Sequence, residues 1–304
     1  MDRVLVLMST YNGSKFILEQ LDSIFNQIDV DITIYVRDDG SIDNTVKLIE
    51  NYNHPKRKIQ IITGENIGCA KSFFLLLTKA ELYSTKYEYF ALSDQDDIWE
   101  PQKIKKGIRC LQTLRKSSPN LYCSNLKILR NNKLDGLMYS TPISPSIHNS
   151  LLSNIVTGCT TIFNIELIKL INELGIPDFP IMHDWWMYKC AITFGNVYYD
   201  ESSYIMYRQH GHNVIGARTQ ITLLEKSINL WKSIFDRQSQ HYREQSAIEF
   251  LEKANKRLTQ EQSMIIKEVS TYRASFKNRI ILVLDKKITN NNFRIIIRII
   301  FGLI

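Results

Sequence analysis

Several familiar signals are missing from this chain, and each absence narrows the reading. The five cysteines, Cys69, Cys110, Cys123, Cys159 and Cys190, are scattered without a CxxC pair, so neither a zinc knuckle nor a disulfide framework is indicated and a reducing compartment is expected. No run of about 20 apolar residues occurs, so no membrane-spanning helix is predicted. The apolar run Val4-Leu5-Val6-Leu7 is too short for a signal peptide, and a cytosolic protein is expected. There is no GxxxxGK[ST] loop, and Gly40 stands alone after its strand, which argues against a P-loop kinase and a dinucleotide dehydrogenase. With 304 residues and 44% hydrophobic content the chain can bury a substantial core, as one large domain or two smaller ones, and the collagenous and disordered classes are excluded.

The net charge of +7 is unevenly placed. Residues 217–304 hold 16 Lys+Arg against 8 Asp+Glu, and the remainder of the chain is nearly balanced at 22 against 23. The basic tail carries no nucleic-acid motif and ends in Phe293-Arg294-Ile295-Ile296-Ile297-Arg298-Ile299-Ile300-Phe301. Such a mixture of cations and aliphatics points to an anionic membrane surface and away from nucleic acid. The alternative is a pair of C-terminal helices packed on their own domain or on a second subunit, as a homodimer.

Short apolar runs at residues 3–8, 32–37, 59–63 and 87–92 alternate with helix-length segments at 14–27, 41–52 and 68–80. This rhythm predicts an α/β fold with a mostly parallel sheet covered by helices. In the first helix Phe16, Ile17, Gln20, Leu21, Ile24 and Phe25 follow helical spacing, so Leu21, Ile24 and the two aromatics are expected on the sheet. Short polar residues from Ser41 to Thr45 mark the start of the second helix, and Pro101 the first turn of another that runs to Arg115. Residues 131–149 are polar and proline-bearing and read as a loop that orders over an acceptor. Helices are expected again at 165–174 and 183–194, then two short strands at 197–199 and 204–207. From about 219 the chain reads as helical, with one long helix over 241–274, which lacks Gly and Pro. The expected division is a catalytic domain over 1–217 and a basic helical region over 218–304.

Open α/β sheets bind ligands at the carboxyl ends of their strands. Three such ends are chemically loaded: Ser9-Thr10-Tyr11-Asn12-Gly13, Asp38-Asp39-Gly40-Ser41, and Ser93-Asp94-Gln95-Asp96-Asp97. Taken singly, each has an ordinary explanation as turn or cap chemistry. The third is different, because three carboxylates within four residues repel one another and are costly on one loop without a cation. Oxygen ligands of this kind suit Mg²⁺ or Mn²⁺, which bind carboxylates together with substrate phosphates and water, so a diphosphate ligand is expected.

In this order, together with Asn66-Ile67-Gly68 and Asp94-Gln95-Asp96-Asp97-Ile98-Trp99, these motifs resemble family 2 glycosyltransferases of the GT-A fold, particularly rhamnosyltransferase-like members. The resemblance spans about 1–217 and extends to Gly158-Cys159-Thr160-Thr161, His183-Asp184-Trp185-Trp186 and Tyr207-Arg208-Gln209-His210-Gly211-His212-Asn213. It implies that Tyr11, beside Ser9 and Thr10, packs on the nucleobase, while Asp39 accepts the N3–H of uracil or thymine, a hydrogen cytosine lacks. Asp94 and Gln95 complete the implied nucleotide site, with Lys71 a candidate phosphate contact or a surface charge; Asp96 is the implied Mn²⁺ or Mg²⁺ ligand, and His210 a further metal ligand or a pyrophosphate contact. Asp184 is the implied base, with Trp185 and Trp186 as the floor of an acceptor site, Asp97 as a supporting or sugar contact and Arg208 as a phosphate contact. His183 stands where the family often has Glu, and its role is open.

The reaction so implied is inverting transfer from dTDP-rhamnose, or from a UDP-sugar, to a hydroxyl of a lipid-linked glycan at the cytoplasmic face of the membrane. A sugar nucleotidyltransferase would want a Gly-rich basic loop after the first strand, where this chain has Ser9–Gly13. A non-catalytic glycan-binding protein on the same fold would lack the acidic triplet or Asp184, and a processive synthase would carry QxxRW.

Overall fold

The computed structural model describes residues 1–210, 241–274, 276–284 and 293–302. Gly211, His212 and Asn213 of the last motif lie outside the described residues, as do Lys286 and Lys287 of the tail. By compactness the chain divides into two units, the first holding Met1–Ser144, Val156–Glu173 and the described part of Met182–Ala217. The second holds Pro145–Ile155, Leu174–Ile181 and the described part of Arg218–Ile304, so the helical region gathers two short segments from within the expected catalytic span.

The first unit is built on β1 (Asp2–Thr10), whose Val4, Leu5, Val6, Leu7 and Met8 are all buried. A run buried on both faces is what the interior strand of a helix-covered parallel sheet requires. On one side β1 pairs in parallel with β2 (Val30–Asp38), and β2 with β3 (Ile59–Thr63); on the other it pairs in parallel with β4 (Tyr89–Ser93). Helices α1 (Ile17–Phe25), α2 (Thr45–Glu50) and α3 (Cys69–Ala80) make the crossovers. Thr10 lies opposite Asp38 and Met8 opposite Ser93, which brings the three polar strand ends to one edge.

Past β4 the sheet turns mixed. The order among the described residues is β3-β2-β1-β4-β8-β6-β9-β5, with β7 on β6. Here β5 is Ile98–Trp99, β6 Asn120–Arg130, β7 Lys133–Leu137, β8 Ile162–Asn164 and β9 Asn196–Gln209. Helices α4 (Lys103–Gln112), α6 (Ile165–Leu174) and α7 (His183–Phe194) belong to this half.

Several expectations change here. Strands β6 and β8 escape the periodicity reading because β6 carries Asn120, Ser124 and Asn125 inward. Their polar groups are matched: Asn125 Nδ2 donates to Tyr139 O at 2.7 Å, and Asn120 Nδ2 to Arg115 O at 2.9 Å. The two short strands expected near 197–207 are one strand, β9, whose polar middle is absorbed by a register shift, Ser124 pairing with Asp200 and Asn125 with Ser203. The expected loop at 131–149 begins as a hairpin, with Asn131 and Asn132 at φ 49° and 59° between the paired residues Arg130 and Lys133.

The second unit contains α5 (Ile147–Leu152), α8 (Tyr242–Ala254), α9 (Gln260–Ser270), α10 (Phe276–Leu284) and α11 (Phe293–Ile300). The single helix expected over 241–274 is broken without Gly or Pro. Thr259 forms a capping box with Gln262, its side chain accepting from Gln262 N while the Gln262 side chain accepts from Thr259 N at 2.9 Å.

At the end of α7, Gly195 has no room for a side chain, since a Cβ there would lie 1.8 Å from Pro119 O. That carbonyl also accepts Asn196 N at 2.9 Å, tying α7 to the start of β6. Gly195→Ala should therefore destabilise the protein by roughly 2–4 kcal/mol. Denaturant unfolding measures this, and an unchanged midpoint would contradict the packing described.

Candidate active site

The carboxyl edge of the sheet is assembled by side chains reaching between loops. Thr10 Oγ1 donates to Asp38 Oδ2 at 2.8 Å, and Asp38 Oδ1 accepts Ser41 N at 2.8 Å. Ser41 Oγ in turn accepts Asn12 N at 2.9 Å. Asp43 accepts Thr45 N at 2.9 Å and Ser14 N at 3.1 Å, satisfying the start of α2 as the sequence suggests. Ser9 Oγ meets Ser72 Oγ at 2.6 Å. Ser9 and Thr10 thus secure the first loop from beneath, while Tyr11 at its tip is 45% exposed.

Asp39 is buried and paired with Arg37. Its carboxylate also accepts Ile67 N and Gly68 N, each at 2.9 Å, so three of four acceptor positions are filled. Arg37, which sequence reasoning missed, further donates to Ser72 Oγ at 3.0 Å and Glu65 O at 3.0 Å. Lys71 is exposed in the first turn of α3. Gln95 joins the first loop to the acidic loop, accepting Tyr11 N at 2.8 Å and donating to Tyr11 O at 2.9 Å. A Cβ on Gly13 would lie 2.2 Å from Gln95 Oε1, so a side chain there would displace the Gln95 amide from Tyr11.

The acidic residues separate into two groups. Asp94, Asp97 and Cys159 bring one ligand atom each within 4.8 Å of one another. Burial, with Asp96 and Asp184 nearby, pushes the Asp94 carboxyl up to about 7. Burial and its acidic neighbours raise Asp97 well above the usual carboxylate range, and burial raises the Cys159 thiol as well. Asp97 Oδ1 accepts Arg208 N at 3.1 Å. Asp96 faces the other way, its Oδ2 lying 2.7 Å from His210 Nε2.

Asp184 stands in the first turn of α7, where the helix macrodipole favours an anion, and its Oδ2 accepts Gly158 N at 3.1 Å. His183 stacks on Phe73 with ring centroids 4.1 Å apart, and burial holds its imidazole down to about 3. A Cβ on Gly158 would lie 2.8 Å from His183 Nε2, so glycine and imidazole are fitted to each other. Trp186 is 1% exposed and Trp185 9%, so of the two Trp185 retains more surface to offer a ligand.

Arg208 is engaged inside the protein. Nε donates to Asp96 O at 2.9 Å, Nη1 to Asn132 Oδ1 at 3.0 Å and Nη2 to Glu19 Oε2 at 2.5 Å. The guanidinium lies 4.6 Å from the Phe16 ring centroid, and the His210 ring stacks on the same phenylalanine at 5.2 Å. Phe16 therefore does not face the sheet, as its helical spacing suggested. It precedes α1 as the N-cap residue, and the end of β9 lies over its ring.

A divalent cation fits this donor set. Asp96 Oδ2 and His210 Nε2, 2.7 Å apart and from different elements, offer an oxygen and a nitrogen donor that a divalent cation would take in place of the hydrogen bond between them. The thiol of Cys159, which burial keeps protonated, does not suit a hard cation.

A mixed sheet with polar loops and an acidic loop at its carboxyl edge is the arrangement of the GT-A fold. The glycosyl transferase family 2 model matches residues 5–171, and the chain belongs to that family. It is 34% identical over 237 residues to a dTDP-rhamnosyl transferase, RfbG, of Shigella flexneri, covering 73% of this chain and 78% of that one. In fold it is similar to S. aureus TarS 1-349 in complex with UDP-GlcNAc, with TM-score 0.60, 17% identity and coverage of 94% and 78%. It is also similar to the mannosyltransferase PcManGT from Pyrobaculum calidifontis in complex with GDP-Man and Mn2+, with TM-score 0.53, 15% identity and coverage of 99% and 85%. Among the described residues no helix is long and apolar enough to cross a membrane.

His183 is neutral in the folded protein down to about pH 3 but protonates near 6.5 when unfolded. The stability it contributes is complete above about pH 6.5 and is lost as pH falls toward 3. His183→Gln should therefore flatten the fall in Tm between pH 6.5 and 4.5. Equal slopes for variant and wild type would show that the imidazole is not held neutral by its surroundings.

Proposed function

We propose that the protein transfers rhamnose from dTDP-rhamnose to a hydroxyl of a lipid-linked glycan precursor, with inversion at the anomeric carbon. The observation that carries this reading is one carboxylate, Asp184, set apart from the acidic loop yet within electrostatic range of Asp94. One base beside a diphosphate site is the requirement for single displacement. The likeness to a dTDP-rhamnosyl transferase supports the donor; a UDP-sugar is the second reading, because thymine and uracil offer the same N3–H.

In this mechanism Tyr11 supplies the stacking face for the base, and the remaining acceptor position of Asp39 takes the imide hydrogen. Lys71 supplies positive charge beside the phosphates. Asp96 and His210 would hold Mn²⁺ or Mg²⁺, which would supply positive charge against the departing diphosphate. Asp184 accepts the proton of the acceptor hydroxyl as the new C–O bond forms, and Trp185 shields that step from water. Arg208 serves this site as a strut under His210, consistent with its internal partners.

The second unit supports peripheral attachment to the cytoplasmic membrane face. Phe276, Ile280, Ile281, Leu284, Ile300 and Phe301 are exposed, as is Lys277 on α10, while Arg279 is half-buried. Beyond Phe276 the sequence has Lys277, Arg279, Lys286, Lys287, Arg294 and Arg298 against one acid, Asp285. Each basic residue near an anionic surface contributes on the order of 1 kcal/mol.

A panel of nucleotide sugars tests the reaction, read by donor-dependent thermal shift and by turnover. dTDP-rhamnose should give the largest shift, and EDTA or Asp96→Asn should abolish most turnover. Asp184→Asn should retain the donor shift and lose transfer; a variant that lost donor affinity but turned over at saturation would remove Asp184 as the base. Vesicle co-sedimentation tests the attachment. The full chain should pellet with anionic and not neutral vesicles, less so at high salt or after deletion of residues 290–304. Equal partition of both forms, with a change in oligomeric state on truncation, would assign these helices to subunit packing.

A further inference from the structure

Arg37, two residues before Asp39, is a buried cation to which the proposed chemistry gives no task. Nη1 donates to Asp39 Oδ1 and, at 3.0 Å, to Ser72 Oγ on α3, while Nη2 donates to Glu65 O at 3.0 Å. The side chains of Arg37 and Asp39 are 6% and 4% exposed, so the ion pair is closed off from water and salt screens it little.

The partners of Asp39 are unevenly divided between its two oxygens. Oδ1 accepts twice, from Arg37 Nη1 and from Ile67 N at 2.9 Å; Oδ2 accepts once, from Gly68 N at 2.9 Å. Each carboxylate oxygen offers two lone-pair positions, so the open one lies on Oδ2. Arg37 and Asp39 also grip the same loop, one by the carbonyl of Glu65 and the other by the N–H groups of Ile67 and Gly68. Removing the guanidinium would free a position on Oδ1 and release that carbonyl, and the direction of the open acceptor would no longer be set.

We propose that Arg37 determines base specificity, as a positioning residue that commits Asp39 to one open acceptor on Oδ2. That acceptor takes a base with an imide N–H. It opposes cytosine, whose N3 is itself an acceptor, because a carboxylate has no hydrogen to give. The inference rests on the proposed nucleotide site with Asp39 at the base, and Arg37 acts only through that residue.

The test compares dTDP with 5-methyl-dCDP, which differ only at N3 and C4 of the base, titrated calorimetrically against the full chain in Mn²⁺. Wild type should prefer dTDP by about tenfold or more, as a site built to hydrogen-bond its ligand does. In Arg37→Met the preference should fall about tenfold, the scale of one hydrogen bond to a charged group, and mainly through weaker dTDP binding. Gly64→Ala disturbs the same guanidinium without removing it, since its Cβ would lie 3.0 Å from Arg37 Nη2. Its preference should fall about threefold, the scale of weakening one ordinary hydrogen bond. A role confined to stability would weaken both nucleotides alike, so an unchanged ratio in folded Arg37→Met would overturn the proposal. Were Arg37→Met not to fold, an unchanged ratio in Gly64→Ala would do the same. Wild type that bound both nucleotides equally, or neither, would overturn the reading of Asp39 as the base contact and this inference with it.

Discussion

Four carboxylates, Asp94, Asp96, Asp97 and Asp184, are brought into electrostatic range of one another at one edge of a single sheet. Their mutual repulsion is the constraint that the surrounding structure answers, and it answers differently for each. Asp184 is placed in the first turn of a helix and given a backbone N–H. Asp96 is matched by an imidazole, and Asp97 by a backbone N–H of β9. Asp94 and Asp97 are still left with raised pKa values, the condition of groups that a cation would relieve.

The proposed nucleotide side of the site is organised by the opposite means. There the charges are already matched inside the protein: Asp39 by Arg37 and two backbone N–H groups, Asp38 by Thr10 and Ser41. A loop whose hydrogen bonds are made before the ligand arrives loses little order on binding. Gln95 joins the two regimes, because its amide pairs with Tyr11 while its backbone belongs to the acidic loop. Movement of one loop is therefore felt by the other.

Much of this was legible in the sequence where apolar runs set the pattern. The parallel half, from β1 to β4, follows directly from those runs, and the loaded strand ends fall at their carboxyl termini. The mixed half was harder. In β6 the inward asparagines and serine resemble loop chemistry until their partners, Tyr139 O and Arg115 O, are known. In β9 a bulge broke the alternation. Thr259 and Gln262 held the signal for the break between α8 and α9, but the absence of Gly and Pro masked it. Phe16 and Arg208 show a different limit: spacing and charge suggested core and phosphate contact, whereas both are placed by the return of a strand 189 residues away from Glu19. Lys103 is of the same kind, since a lysine in the first turn of a helix is ordinarily a surface residue.

The hairpin between β6 and β7 turns on two asparagines in left-handed conformation, a conformation in which Asn-Gly is the commoner pair. The second of them has another duty, because Asn132 Oδ1 receives Arg208 Nη1 at 3.0 Å. A glycine there would suit the backbone better and leave the guanidinium one partner short. The turn is thus fitted to Arg208 at some expense to local folding preference, and a thermostabilising redesign guided by turn statistics would loosen that guanidinium while tightening the hairpin.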